Sequence, residues 1–150
     1  MYDAALTLRA ARADYFARSG FASDGGYGDA WVKVKLGGRW LPAFPNMAAR
    51  VRAVRLHDLH HVLAEYDTSW RGEAEIAAWE LASGCRGYVA AWLLNIGGML
   101  IGAVLAPRRV ARAFARGRRT HNLYSRVFEE ALLERNVGEL RAELGLTPTA

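Results

Sequence analysis

An uncharged stretch of 21 residues, from Gly87 to Pro107, limits the possible folds of this chain more than any other feature. It reads GYVAAWLLNIGGMLIGAVLAP, and Asn95 is its only strongly polar side chain. The stretch is long enough to span a bilayer, and the arginine-rich segment after it fits the positive-inside rule. Gly98 and Gly102, however, have the four-residue spacing of closely packed helices. We therefore expect a helix buried in the domain or in an interface, with a membrane span as the alternative.

The length and composition indicate one folded domain. The 150 residues are enough for a single domain, 1–150, with its own core. Hydrophobic residues make up 52% of the chain and charged residues 23%, which excludes a disordered or low-complexity protein. The single cysteine, Cys85, cannot form an internal disulfide, and the first residues contain no signal-peptide pattern. We expect a cytoplasmic protein.

Hydrophobic periodicity and turn residues predict a mainly α-helical domain with one small β-hairpin near the N-terminus. The predicted helices are 4–18, about 47–66 with Asn46 as N-cap, and 72–83. The hairpin is predicted over 31–41, with its turn at Gly37-Gly38. Beyond residue 107 the pattern predicts amphipathic helix, with breaks near Gly117 and at Val137-Gly138.

The net charge of +5 is unevenly distributed along the chain. Residues 57–86 carry six acidic and two basic side chains, whereas residues 1–56 carry four acidic and nine basic ones. Residues 101–150 carry five acidic and nine basic ones. The acidic segment also contains three of the four histidines, and carboxylates grouped with histidines are typical of a cation site.

The acidic segment begins with the motif HDLHH at 57–61 and continues to Glu73. On a helix, His57, Asp58 and His61 fall within an arc of about 100°, so all three can face one ion. The predicted turn that follows places Glu73 in the first turn of the next helix, close enough to be a fourth ligand. Two imidazoles and two carboxylates suit Zn²⁺ first, with Fe²⁺ or Mn²⁺ as alternatives. A polar helix face without a metal is the simpler interpretation.

The motif and its spacing, HDxxH followed by eleven residues and a glutamate, resemble the Coq4 family of ubiquinone-biosynthesis proteins. The similarity covers residues 42–148 and includes the Gly72-Glu73 pair and the segment VGELRAELGLTP. The resemblance implies an all-α fold and an apolar cavity for an isoprenoid tail. It also implies a divalent metal held by four residues, namely His57, Asp58, His61 and Glu73.

The resemblance further implies a metal-dependent enzyme that decarboxylates and hydroxylates ring carbon C1 of a prenylated quinone precursor, with the four metal ligands as catalytic residues. The resemblance also implies that other biosynthetic enzymes are partners of the chain. We expect the protein to attach peripherally to the inner face of the membrane and to form a homodimer. The residues expected to bind the lipid are Trp92, Asn95, Met99, Arg108 and Arg109. A non-catalytic isoprenoid-binding scaffold with a structural metal is the main alternative. A hydrolase of the HD type would need more histidines than the chain has.

Six arginines lie between Arg108 and Arg119, directly after the uncharged stretch. The segment lacks lysine and has Phe114 as its only aromatic residue, so we do not expect it to bind nucleic acid. Anionic lipid head groups or a prenyl phosphate suit a cationic helix beside an apolar one. A solvated helix face, paired with Glu129, Glu130 and Glu134, is the alternative interpretation.

Overall fold

A computed structural model describes residues 2–36 and 38–146 and confirms a mainly helical domain with one antiparallel hairpin. The elements are α1 (Leu8–Ser19), β1 (Trp31–Leu36), β2 (Arg39–Pro45), α2 (Ala48–Ala64), α3 (Trp70–Ser83), α4 (Val89–Leu105), α5 (Pro107–Gly117) and α6 (Val137–Glu143). Two short 3₁₀ turns, Leu123–Ser125 and Glu130–Glu134, lie between α5 and α6. Gly37, in the predicted hairpin turn, lies outside the described residues.

The start of α3 is fixed by a side-chain cap and a close backbone contact. The Ser69 hydroxyl accepts a hydrogen bond from the Gly72 N–H, which satisfies one of the free donors of the first turn. A Cβ atom on Gly72 would lie 2.1 Å from the carbonyl oxygen of Asp67. Only glycine therefore permits this tight reversal between α2 and α3, and the reversal sets the position of Glu73.

Helix α4 lies directly on α3 through its small residues. A Cβ atom added to Gly98 would lie 3.1 Å from the Cβ of Ala77, and one added to Gly102 would lie 2.3 Å from the Cβ of Ala74. The expected close packing through Gly98 and Gly102 thus occurs within the chain, between α3 and α4.

The opposite face of α4 is exposed, so the prediction of a buried helix is correct for one face only. The exposed apolar face of α4 consists of side chains at least half exposed, namely Val89, Leu93, Leu100, Ile101, Val104 and Leu105. No helix in the described part of the chain combines the length and apolar character needed to cross a bilayer.

The prediction of amphipathic helix between α5 and α6 is wrong. Residues 118–136 form loops and the two 3₁₀ turns, because their polar groups bond to other elements. The Asn122 amide donates to the Ser83 hydroxyl at the end of α3, and the Leu123 N–H donates to a ring nitrogen of His60 on α2. These long-range hydrogen bonds replace the backbone hydrogen bonds that a local helix would have formed.

The prediction that Asn46 caps α2 is also wrong, since the N-cap is Met47 and makes no side-chain cap bond. The Asn46 amide instead donates to the carbonyl of Asp29 at 2.9 Å, and its oxygen accepts from Arg50 at 2.8 Å. Asn46 therefore ties the glycine-rich loop before the hairpin to the first turn of α2.

The C-terminal end of α2 is held by Arg141, a buried arginine of α6. Its guanidinium donates to the carbonyls of Val62 and Leu63, each at 3.0 Å, and to a carboxylate oxygen of Glu65 at 2.8 Å. A cation at this end of a helix is also favoured by the helix dipole. Arg141 thereby fixes the turn of α2 that carries the last residues of the HDLHH motif.

Candidate metal centre

Three of the four predicted ligands come together where α2 ends and α3 begins. His57 and His61 lie one turn apart on α2, and their Nε2 atoms are 3.1 Å apart. Glu73, in the first turn of α3, places one carboxylate oxygen 3.6 Å from Nε2 of His57 and the other 3.4 Å from Nε2 of His61. One ligand atom from each residue lies within 4.8 Å of the other two.

Hydrogen bonds fix which ring nitrogen of each histidine carries a proton. The Nδ1 of His61 lies 2.8 Å from the carbonyl oxygen of Tyr66, which can only accept, so Nδ1–H donates. The Nδ1–H of His57 donates to a carboxylate oxygen of Glu80 at 2.9 Å. When neutral, both rings therefore present hydrogen-free Nε2 atoms to each other. Two such nitrogens at 3.1 Å repel unless a proton or a cation lies between them.

The distances within this cluster fit a tetrahedral ion. Bonds of about 2.0–2.1 Å, as zinc forms to imidazole and carboxylate, place neighbouring ligand atoms about 3.3–3.4 Å apart. The two Nε2 atoms, 3.1 Å apart, lie near that value, whereas the separations of 3.4 and 3.6 Å involve different oxygens of Glu73, so the carboxylate would turn to bring one oxygen close to both rings. The three side chains can thus hold Zn²⁺ with small adjustments, and a fourth position would remain for water or substrate.

The charges in the cluster favour a cation. Burial lowers the pKa of His57, but the carboxylates of Glu80 and Glu73 outweigh it and raise this pKa well above its usual value. Burial raises the pKa of Glu73, but its interactions with the rings of His57 and His61 outweigh that effect and lower this pKa far below its usual value. The cluster therefore keeps a charged carboxylate beside a histidine, His57, whose ring accepts positive charge.

Asp58, the remaining predicted ligand, faces a different partner. Its carboxylate accepts a hydrogen bond of 2.6 Å from the Tyr27 hydroxyl, and it is not part of the three-residue cluster. Burial is the largest influence on Asp58 and raises the pKa of its carboxyl group. The structure thus places Asp58 next to the cluster, on the loop side of α2.

Glu80 is a residue of the site that the sequence interpretation missed. Its side chain is completely buried in α3, and its carboxylate accepts hydrogen bonds from His57, His60, Asn95 and Tyr124. His60, the remaining histidine of the HDLHH motif, is buried and bonds to Glu80 rather than to the cluster. The available signal was an acidic residue between Trp79 and Leu81 in an otherwise apolar part of α3.

The cluster opens into a cleft of about 1210 Å³. His57, Asp58 and Glu73 line it on one side, and Glu73 is 42% exposed. The remaining walls are mostly apolar and include Trp31, Phe44, Ala77, Ala91, Leu94 and Gly98. Arg50 also lines the cleft, and within the described residues it forms no ion pair.

Of the five residues predicted to bind a lipid, only Asn95 lines this cleft. Trp92 donates its indole N–H to the Arg86 carbonyl, and Met99 packs against the core. Arg109 pairs with Glu75, and Arg108 is exposed. Two of the three carboxylates predicted to pair with the arginine segment, Glu130 and Glu134, pair with Arg9 instead.

Comparisons of the chain with models of protein families, with curated proteins and with solved structures found no match.

Proposed function

We propose that this chain is a metal-dependent protein of quinone or isoprenoid biosynthesis, similar in role to the Coq4 family. In this proposal a divalent cation, Zn²⁺ first, is bound by His57, His61 and Glu73, and the adjoining cleft takes a prenylated aromatic molecule. The observation that carries the proposal is the pair of Nε2 atoms 3.1 Å apart, facing a carboxylate at the wall of an apolar cleft. Such convergence of polar groups in a large apolar pocket is typical of a binding or active site.

The number of protein ligands supports a catalytic rather than a structural metal. Structural zinc sites are closed by four protein ligands, whereas catalytic ones keep a position for water or substrate. Only three ligands converge within the described residues, and Glu73 is exposed to the cleft. In the alternative, a non-catalytic isoprenoid-binding scaffold, the metal only joins α2 to α3.

The cleft suits a prenylated aromatic acid. Apolar side chains from β1, β2 and α4 offer a surface for an isoprenoid tail, since burial of apolar area favours binding. Arg50 is partly buried in the cleft wall, where burial lowers the pKa of its guanidinium. A ligand carboxylate would supply the charged partner that Arg50 lacks within the described residues.

The reaction consistent with such a ligand replaces the ring carboxyl group at C1 by a hydroxyl group. With water as the source of the hydroxyl oxygen, this change releases carbon dioxide, two protons and two electrons, so it requires dioxygen or another two-electron acceptor. A bound divalent ion would supply Lewis acidity toward a substrate oxygen. Arg50 would hold the carboxylate, and the apolar walls would surround the ring and its tail.

The surface around α4 and α5 supports peripheral attachment to a membrane. The exposed apolar face of α4 lies next to α5, whose arginines Arg108 and Arg112 are also exposed. Apolar side chains that enter the interface, together with cations near anionic head groups, produce this kind of binding.

Elemental analysis of the purified protein, prepared without chelator or metal-binding tag, tests the metal site. We expect one divalent ion per chain in the wild-type protein and in Glu75→Ala, and none in Glu73→Ala. Glu75 is the matched control because it lies on the same helix but pairs with Arg109. A folded wild-type protein without metal would refute the metal-dependent function.

Two further measurements separate the enzyme from the scaffold. Incubation with a prenylated hydroxybenzoate labelled in its carboxyl group, under air, should release labelled carbon dioxide only from the metal-loaded protein. Removal of the metal by chelation should leave the circular dichroism spectrum largely unchanged if the metal is catalytic. Unfolding on chelation, without any turnover, would favour the scaffold.

A further inference from the structure

Glu80 forms a fully paired buried carboxylate at the centre of the domain. One oxygen accepts from Nδ1 of His57 at 2.9 Å and from Nδ1 of His60 at 2.6 Å. The other oxygen accepts from the Asn95 amide at 2.5 Å and from the Tyr124 hydroxyl at 2.9 Å. The donors come from α2, from α4 and from the 3₁₀ turn at Leu123–Ser125, so the carboxylate is fixed from several directions.

Among the donors to Glu80, only His57 belongs to the metal cluster. A ring whose Nδ1–H is bound to a carboxylate has its Nε2 free to bind a metal, and such carboxylate partners commonly orient histidine ligands. We propose that Glu80 is a positioning residue of the metal centre, whose negative charge holds His57 with Nδ1 protonated and Nε2 directed at the ion. This inference rests on the proposed metal site at His57, His61 and Glu73.

The charge of Glu80 supports this role over a purely structural one. A buried carboxylate is costly unless a positive charge balances it. Within the described part of the chain, no arginine or lysine forms an ion pair with Glu80. His60 accepts the Leu123 N–H through its Nε2, so its ring is neutral and supplies no charge. Among the described donors to Glu80, His57 is therefore the one that can supply a positive charge, and this ties the orientation of its ring to the carboxylate.

The substitution Glu80→Gln tests the proposal because it removes the charge and keeps the shape. The glutamine oxygen can still accept from His57 and His60, while Asn95 can turn its amide over and the Tyr124 hydroxyl can rotate to accept. We expect about 10–100-fold weaker binding of Co²⁺ or Zn²⁺, measured by titration. The matched control is Tyr124→Phe, which removes one donor to the same carboxylate and should keep the wild-type affinity.

The outcomes separate this inference from the proposed metal site. If the wild-type protein binds no metal, the proposed metal site and the role of Glu80 are both refuted. If it binds metal and Glu80→Gln binds it equally well, only the role of Glu80 is refuted. A loss of thermal stability in both variants, with no difference in metal affinity, would also refute it, since that is the result expected of a structural residue.

A measurement on the wild-type protein does not depend on how well the variant folds. Long-range ¹H–¹⁵N correlation spectra of the zinc-loaded protein report the protonation and ligation of each ring nitrogen. We expect His57 to be protonated at Nδ1 and bound to zinc through Nε2. Ligation through Nδ1 would overturn the proposal.

Discussion

Replacing Gly102 by alanine should separate α4 from α3. The new Cβ atom would lie 2.3 Å from the Cβ of Ala74 and 2.9 Å from a methyl carbon of Val110. Carbon atoms in contact stand about 3.5–4.0 Å apart, so the overlap with Ala74 exceeds about 1 Å. Neither Cβ atom can rotate away, and the two helices must move apart.

The magnitude follows from two opposing effects. Overpacking of a close helix contact costs about 1–3 kcal/mol, and the large overlap at Gly102 places this variant at the upper end. Alanine favours the helix over glycine by about 1 kcal/mol. The free energy of unfolding of Gly102→Ala should therefore fall by about 2 kcal/mol, which lowers the Tm by about 4–8 °C in a chain of this size.

Gly97 provides a matched control in the same helix, because a Cβ atom there meets nothing within 4 Å. Gly97→Ala should gain the helix preference alone, about 1 kcal/mol, and raise the Tm by about 2–4 °C. Thermal and urea unfolding followed by circular dichroism measure both variants. If Gly102→Ala is as stable as Gly97→Ala, α4 does not lie on α3 at the distance described.

Three further changes test other parts of the domain. Trp79→Phe removes a buried indole N–H that donates to the Thr120 hydroxyl at 2.8 Å, and the smaller ring leaves a gap. The free energy of unfolding, measured by urea titration, should therefore fall by about 1–3 kcal/mol. An unchanged midpoint would contradict this expectation. Burial raises the pKa of Cys85 to about 11, so at pH 8 about one thiol in a thousand is ionised and a disulfide reagent should label it only after unfolding. Since the thiolate forms at lower pH in the unfolded chain, its contribution to stability is complete below pH 9 and is lost as the pH rises toward 11. Arg109→Ala breaks a pair whose arginine is 44% exposed, so the midpoint of its urea unfolding should stay close to that of the wild-type protein.

Local patterns were enough to predict most of the helices, the hairpin and the grouping of His57, His61 and Glu73. The His57–His61 pair follows from the helical period, and the first-turn position of Glu73 follows from the short reversal at Gly72. These predictions depend on residues close together in the sequence. For the same reason they include no contact between distant segments.

The missed features all depend on long-range contacts. The partners of Glu80 include Asn95 and Tyr124, which lie 15 and 44 residues away in the sequence. The orientation of Asp58 depends on Tyr27, in a loop whose position relative to α2 no local pattern specifies. Residues 118–136 have the composition of an amphipathic helix, but bonds such as Leu123 to His60 override that preference.

The anchoring of α2 by Arg141 has a consequence for the order of folding during synthesis. The carbonyls of Val62 and Leu63 bond to the guanidinium of Arg141, which is synthesised 79 and 78 residues after them. The Leu123 N–H bonded to His60 is also supplied late, 63 residues after its partner. The helix that carries His57 and His61 is therefore incompletely supported until Arg141 has been translated, and binding of a cation at the proposed site should follow that point rather than accompany synthesis of α2.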